Sequence, residues 1–178
     1  MSVKTYSGKD VGKYIEPALE KAKKRIIVIS PWISKKYLDI LVRKAREGAK
    51  VVIVTSTKNR NLKDFENICG RRISWKVLLI SIVIPPLFYY LWKKRKRERI
   101  PLEVYVVDER HFVHSKIYVF DDVVITGSAN LTQHGLWKNT ESIVIFPKGQ
   151  QRSVLNDARK IINKAKKEAI VSVNCLEG

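Results

Sequence analysis

The stretch "HSKIYVFDDVVITGSAN", His114 to Asn130, reads as two short strands, "KIYVF" and "VVIT", joined by a turn at Asp121 and Asp122. β-Branched and aromatic residues suit a pleated, half-buried surface, and paired aspartates favour a turn. The polar residues fall at the ends of this hairpin. His114 and Lys116 are two apart, so on a strand they project from one face. Ser128 and Asn130 are also two apart, on the returning strand. An imidazole can attack phosphorus, while a neighbouring ammonium holds non-bridging oxygens and takes up charge in the transition state. Serine and asparagine side chains can donate hydrogen bonds to the same phosphate. The following "LTQHGL" reads as a short helical turn whose backbone amides would face an anion. Every component suits a phosphodiester.

Working outward from the hairpin, the rest of the chain predicts the sheet that receives it. Val11, Tyr14, Ile15, Ala18, Leu19 and Ala22 recur at helical spacing, and "RIIVIS" follows as an apolar strand. Ser34 can cap a second helix whose Leu38, Leu41, Val42 and Ala45 face one way. Gly48 ends that helix, and "KVVIVTS" is the next strand. Strands apolar throughout, alternating with helices, predict a sheet covered on both faces. "LEVYVV" and "SIVIF" add strands to those of the hairpin, and Val154, Ala158, Ile161, Ile162, Ala165 and Ala169 mark a closing helix. The fold class is therefore α/β, a mixed and mainly β sheet flanked by helices on both faces. Residues 1–178 read as one domain, with an apolar helical insertion at 71–99.

That insertion, "RRISWKVLLISIVIPPLFYYLWKKRKRER", interrupts the α/β rhythm. Val77 to Trp92 is a run of about 16 uncharged residues, and a straight helix of that length reaches about 24 Å, short of a hydrocarbon core of about 30 Å. The strands on either side should share one sheet, which excludes a lone crossing. Pro85 and Pro86 favour a bend in the middle of the run. Trp75 and Trp92 bracket the run, and the basic flanks place both ends on the cytoplasmic side. A re-entrant or interfacial hairpin is thus expected, with "KKRKRER" against anionic headgroups and membrane contact through 75–99. The competing reading is an apolar arm packed on a partner subunit or in the core, with the basic run as a solvated face. In that case the protein is simply cytoplasmic.

The chain carries 35 basic and 17 acidic residues, a net charge of +18, so its natural partners are polyanions such as nucleic acid or an anionic lipid surface. Cys69 and Cys175 have neither disulfide-framework nor zinc spacing, and two free thiols in a reducing compartment are expected. His111 and His114 form an HxxH, but no cysteine or third histidine is suitably spaced, so no metal and no cofactor is assigned. His134 and Asn139 either line the cleft or lie on the surface, and Trp32 reads as packing more than base stacking.

His114, Lys116 and Asp121, followed by Gly127, Ser128 and Asn130, match in order the HxKxxxxD and GSxN signature that this chain resembles, that of the phospholipase D-like superfamily. "GSANLT", the later "NTE" and the segment from "RIIVIS" to "VVIVTS" extend the likeness, in a single-motif form resembling the bacterial and archaeal endonuclease branch. One departure is that "DVVIT" gives five residues between Asp121 and Gly127 where the family usually has six. The resemblance implies that His114 is a nucleophile forming a covalent phosphohistidine. Lys116 and Asn130 would hold phosphate oxygens, Ser128 and Gly127 would support them, and Asp121 would maintain local structure. Glu141 is implied as the carboxylate that orients the imidazole. The mechanism needs a second histidine to protonate the leaving oxygen and then activate water. No second HxK exists, so the resemblance implies a homodimer in which two copies of His114 share one site. Three functions compete: a metal-independent, membrane-associated nuclease, favoured by the charge; a phospholipase D-type lipid phosphodiesterase; and a non-catalytic phosphate-binding membrane scaffold.

Overall fold

The computed structural model describes residues 2–57, 99–111 and 113–176. Apart from Arg99, the inserted segment expected at 71–99 lies outside the described residues, as does Cys69. Eight strands form one sheet: β1 (Lys4–Gly8), β2 (Arg25–Ile29), β3 (Lys50–Ser56), β4 (Leu102–Val107), β5 (Ile117–Phe120), β6 (Val123–Gly127), β7 (Glu141–Phe146) and β8 (Ala169–Asn174). Their spatial order is β1-β7-β6-β5-β2-β3-β4-β8. β2, β3 and β4 run parallel, and every other neighbouring pair is antiparallel. The helices among the described residues are α1 (Gly12–Lys21), α2 (Lys35–Arg46), α3 (Gln133–Trp137) and α4 (Arg152–Glu168).

Period-two alternation explains why the central strands carry no polar face. Ile26 and Val28 of β2, Val51 and Ile53 of β3, and Tyr118 and Phe120 of β5 turn to one side, where Ile15, Leu19, Leu38 and Leu41 of α1 and α2 meet them. Ile27, Ile29, Val52, Val54, Ile117 and Val119 turn to the other side, against Ala158, Ile162 and Ala165 of α4. Each central strand is therefore buried on both faces, as a continuous apolar run requires. The expected mixed α/β fold with helices on both faces is the observed one. β3 and β4 are neighbours, so the strands flanking the insertion do share one sheet.

The structure corrects several local expectations. β1 and β8, the two edge strands, were not read from the sequence. Ala169, assigned to the closing helix, begins β8, because the helical spacing of alanines runs up to a residue that already has extended backbone. Ser34 stands at the N-cap of α2 but its hydroxyl makes no capping bond and is buried without a partner. Cys175, fully buried beyond β8, is disulfide-bonded, so the expectation of two free thiols fails. With it goes the support that free thiols gave to a reducing compartment. Among the described residues, no helix is long and apolar enough to cross a membrane.

Asp121 sits in the β5–β6 turn with a positive φ of 52°, a conformation that aspartate tolerates better than most residues. Its carboxylate accepts from the amides of Lys23, Lys24 and Arg25 at 2.9, 2.9 and 2.8 Å, fastening the α1–β2 connection to the hairpin. Burial acts to raise its pKa, but these amide bonds outweigh it and hold the carboxyl below the ordinary range. A depressed pKa contributes stability above the unfolded-state value, and that contribution is lost as pH falls through the folded-state one. Asp121→Asn should therefore cost about 1–2 kcal/mol in urea unfolding at neutral pH, with the difference from the parent shrinking steadily below about pH 4.

Candidate active site

The hairpin sets the site's geometry. β5 lies antiparallel to β2, with Ile117 opposite Ile29, and β6 returns beside it with Thr126 opposite Ile117. The segment entering β5, the residues leaving β6, the start of β7 and the loop after β2 therefore meet at one end of the sheet. A cleft of about 310 Å³ opens there, lined by His114, Lys116, Thr126, Gly127 and Ser128 among others.

His114 and Lys116 precede the first residue of β5, and the register extends back to them through the Lys116 carbonyl, which accepts from the Thr126 hydroxyl at 2.9 Å and the Gly127 amide at 3.3 Å. His114 is exposed, whereas Lys116 is only 5 % exposed. The buried ammonium donates to the His114 carbonyl at 2.7 Å and lies 3.0 Å from Nδ1 and 3.3 Å from Nε2 of the imidazole. Desolvation lowers the Lys116 pKa, and the charge of Glu141 opposes that shift. The ring of Trp32, from the loop after β2, stands edge-on to the imidazole with centroids 6.3 Å apart.

The returning strand ends on a glycine for a steric reason. A Cβ on Gly127 would fall 2.0 Å from the Ser142 carbonyl oxygen, so only glycine lets β6 pass β7 this closely. Ser128 then follows, its hydroxyl donating to Glu141 and accepting from the Ser142 amide at 3.0 Å. Asn139 donates to the other Glu141 oxygen at 3.2 Å. Both carboxylate oxygens are thus engaged by Ser128 and Asn139.

Asn130 is held from below. The Tyr118 hydroxyl, wholly buried, donates to the Ala129 carbonyl at 2.6 Å, and burial pushes its own ionisation far upward. Buried Ser30 accepts from the Leu131 amide at 3.3 Å, donates to the Trp32 carbonyl at 2.9 Å and lies 3.5 Å from Asn130 Oδ1. The α3 turn predicted at "LTQHGL" begins at Gln133, and its Gly135 amide is already taken by the Thr132 hydroxyl at 3.0 Å.

The structure thus gathers His114, Lys116, Gly127, Ser128, Asn130 and Glu141 at one end of the sheet and places Asp121 in the turn at the other. His111 points elsewhere, with Nδ1 3.0 Å from Asp108, and His134 is exposed on α3. Residues 15–164 match the family model described as cardiolipin synthase, PLD-like domain. The chain belongs to the phospholipase D-like family. Its fold superposes on the phospholipase D family member Nuc from Salmonella typhimurium with a TM-score of 0.62 at 16 % identity, covering 97 % of this chain and 99 % of that one. NucT from Helicobacter pylori gives 0.58 at 15 % identity, over 94 % and 97 %. The phosphatidylserine synthase of Haemophilus influenzae Rd KW20 gives 0.60 at 16 % identity, over 99 % of this chain and 41 % of its own. No curated protein matches the sequence.

Two supporting residues of this phospholipase D-like site escaped the sequence reading. Ser30 ends an apolar run, and nothing local marks its hydroxyl as the post beneath Asn130. Asn139, expected either in the cleft or on the surface, is bound to Glu141, two residues along the chain. Because the Glu141 charge works to keep the Lys116 pKa up, Glu141→Gln should lower it further. An NMR titration of the lysine ε-position checks this, and an unchanged or raised value in the variant would contradict the electrostatic coupling.

Proposed function

We propose that this chain is a metal-independent phosphodiesterase acting through a covalent phosphohistidine, most plainly a nuclease. The observation that carries the reading is an exposed imidazole backed by a buried ammonium at the mouth of an open cleft. A phosphodiester entering there would place phosphorus against the His114 ring. A new N–P bond forms as the P–O bond to the leaving group breaks, while Lys116 and Asn130 hold the non-bridging oxygens. A second imidazole gives its proton to the departing oxygen. It then takes a proton from water as that water cleaves the N–P bond, restoring both rings.

The second imidazole is proposed to be the partner subunit's His114, brought across a two-fold axis. Exposure of His114 at the rim supports this, since a neighbouring protomer could reach it. Ser128 and Asn139 would hold Glu141 ready to orient the imidazole, and the three amide bonds on Asp121 support a purely structural part for that residue.

For substrate, the +18 charge favours nucleic acid; in fold, the chain matches Nuc and NucT over nearly their whole length and the phosphatidylserine synthase over 41 % of its own. Membrane association through residues 75–99, on the cytoplasmic side, remains part of the proposal on the strength of the apolar run and its basic flanks. A phospholipase D-type activity is the second reading, favoured by the same run.

Purified protein offered single-stranded DNA, RNA and fluorescent phospholipids in parallel, with EDTA present, should cleave nucleic acid. His114→Ala should reduce that turnover by at least about a thousandfold and abolish any phosphoenzyme trapped by rapid denaturation. Lipid turnover without nucleic-acid cleavage would reverse the substrate assignment, and turnover surviving His114→Ala would remove the mechanism. In analytical ultracentrifugation the active species should sediment as a dimer. A fully active monomer would contradict the shared site.

A further inference from the structure

A second cleft, of about 440 Å³, lies at the N-terminus of α4 and is lined by Gly149, Gln151, Arg152, Leu155, Asn156 and Arg159. β7 carries the chain away from the candidate active site at Glu141 to Phe146, a distance of about 17 Å for its length, and the cleft follows that far end. It is therefore separate from the cleft beside His114.

Its chemistry is that of an anion site. Arg152, Asn156 and Arg159 stand at i, i+4 and i+7, one face of the helix, and all three are exposed. No carboxylate among the described residues pairs with either arginine; the nearby Asp157 is engaged by Lys160 at 3.4 Å. The first turn of α4 contains no acidic residue and Gln151 makes no capping bond, so the opening amides keep their donors and the helix end keeps its partial positive charge. Gln151 supplies an independent indication. It lines the cleft, is only 8 % exposed, and its Oε1 has no hydrogen-bond partner. That oxygen is sealed from solvent, so what the side chain offers an oxyanion in the cleft is its NH2, which pairs with no acceptor among the described residues.

We infer that this cleft binds a backbone phosphate of nucleic acid, as an exosite to the candidate active site. Guanidinium forks match phosphate oxygens bidentately, and a helix N-terminus adds amides aimed at the same charge. A lipid surface is the poorer fit: headgroup contacts of peripheral proteins accompany apolar side chains that enter the bilayer. The exposed large apolar residues among those described, Val3, Ile170 and Leu176, do not line the cleft. The choice of polymer rests on the proposed nuclease function, whereas the cleft's affinity for phosphate does not.

The test uses the full chain in a His114→Ala background, binding a fluorescent single-stranded 30-mer over a series of salt concentrations. Arg152→Ala with Arg159→Ala should weaken binding at least tenfold and reduce the slope of log K against log salt by about 1–2, as lost phosphate contacts require. Lys21→Ala with Lys23→Ala, on exposed residues near the end of α1, removes the same charge elsewhere and should change the slope by less than half as much. A slope change in the arginine pair no larger than in this control overturns the inference. So does a loss confined to phosphatidylglycerol vesicles with oligonucleotide binding intact. With His114 restored, hydrolysis of bis(p-nitrophenyl) phosphate should be equal in the arginine variant and the parent, since so small a diester cannot span both clefts. Failure of the parent to hydrolyse that diester or any oligonucleotide would count against the catalytic reading, and the binding slopes would still decide the exosite.

Discussion

The hydroxyl of Tyr118 and the carbonyl of Ala129, 2.6 Å apart in the core, determine where the loop from Gly127 to Leu131 can lie. A buried phenol without a partner is costly, so the loop must bring a backbone acceptor down to it. Ala129 therefore packs inward, and Ser128 and Asn130 are left on either side of it, directed toward Glu141 and Ser30 respectively. Ser30 completes the support from β2, so two neighbouring strands fix one short loop. Ser128 and Asn130 thus inherit their positions from groups that never meet solvent.

Electrostatics at the same end of the sheet follow from unequal burial. Lys116 is sunk below His114, where loss of hydration favours its neutral form and the Glu141 charge favours the ammonium. The imidazole stands above in solvent. This places a cation behind the ring and leaves the ring open to the cleft. The opposite end of the hairpin uses its charge differently: Asp121 is surrounded by three amides and serves to hold α1 and β2 to the turn.

The legible part of the molecule was the part with covered faces. β2 and β3 read as strands because both sides of each are packed, which leaves no room for polar interruptions. β1, "KTYSG", is an edge strand with one buried neighbour, and its mostly exposed residues carry no pattern. β8 was hidden by the alanines of α4, whose helical spacing continues into Ala169. The hairpin motif located His114, Lys116, Ser128 and Asn130 at one end of the sheet, although all four lie just outside β5 and β6 and their facing is set by the flanking loops rather than by strand alternation. Ser30 and Trp32 depend on contacts made across the chain, about 100 residues apart in the case of Ser30 and Asn130. Such contacts leave no trace in local sequence.

The two-residue turn at Asp121 and Asp122 leaves the β5–β6 pair no slack, with Phe120 directly opposite Val123. Parity then becomes a fixed property of the arm. Adding or deleting a single residue in β6 would exchange the two faces along the whole strand, taking Ile125 off the side packed by α1 and α2 and turning Thr126 onto it. A hairpin one residue longer or shorter can keep these faces only by adding a compensating bulge. The arm behaves as a ruler with one permitted setting.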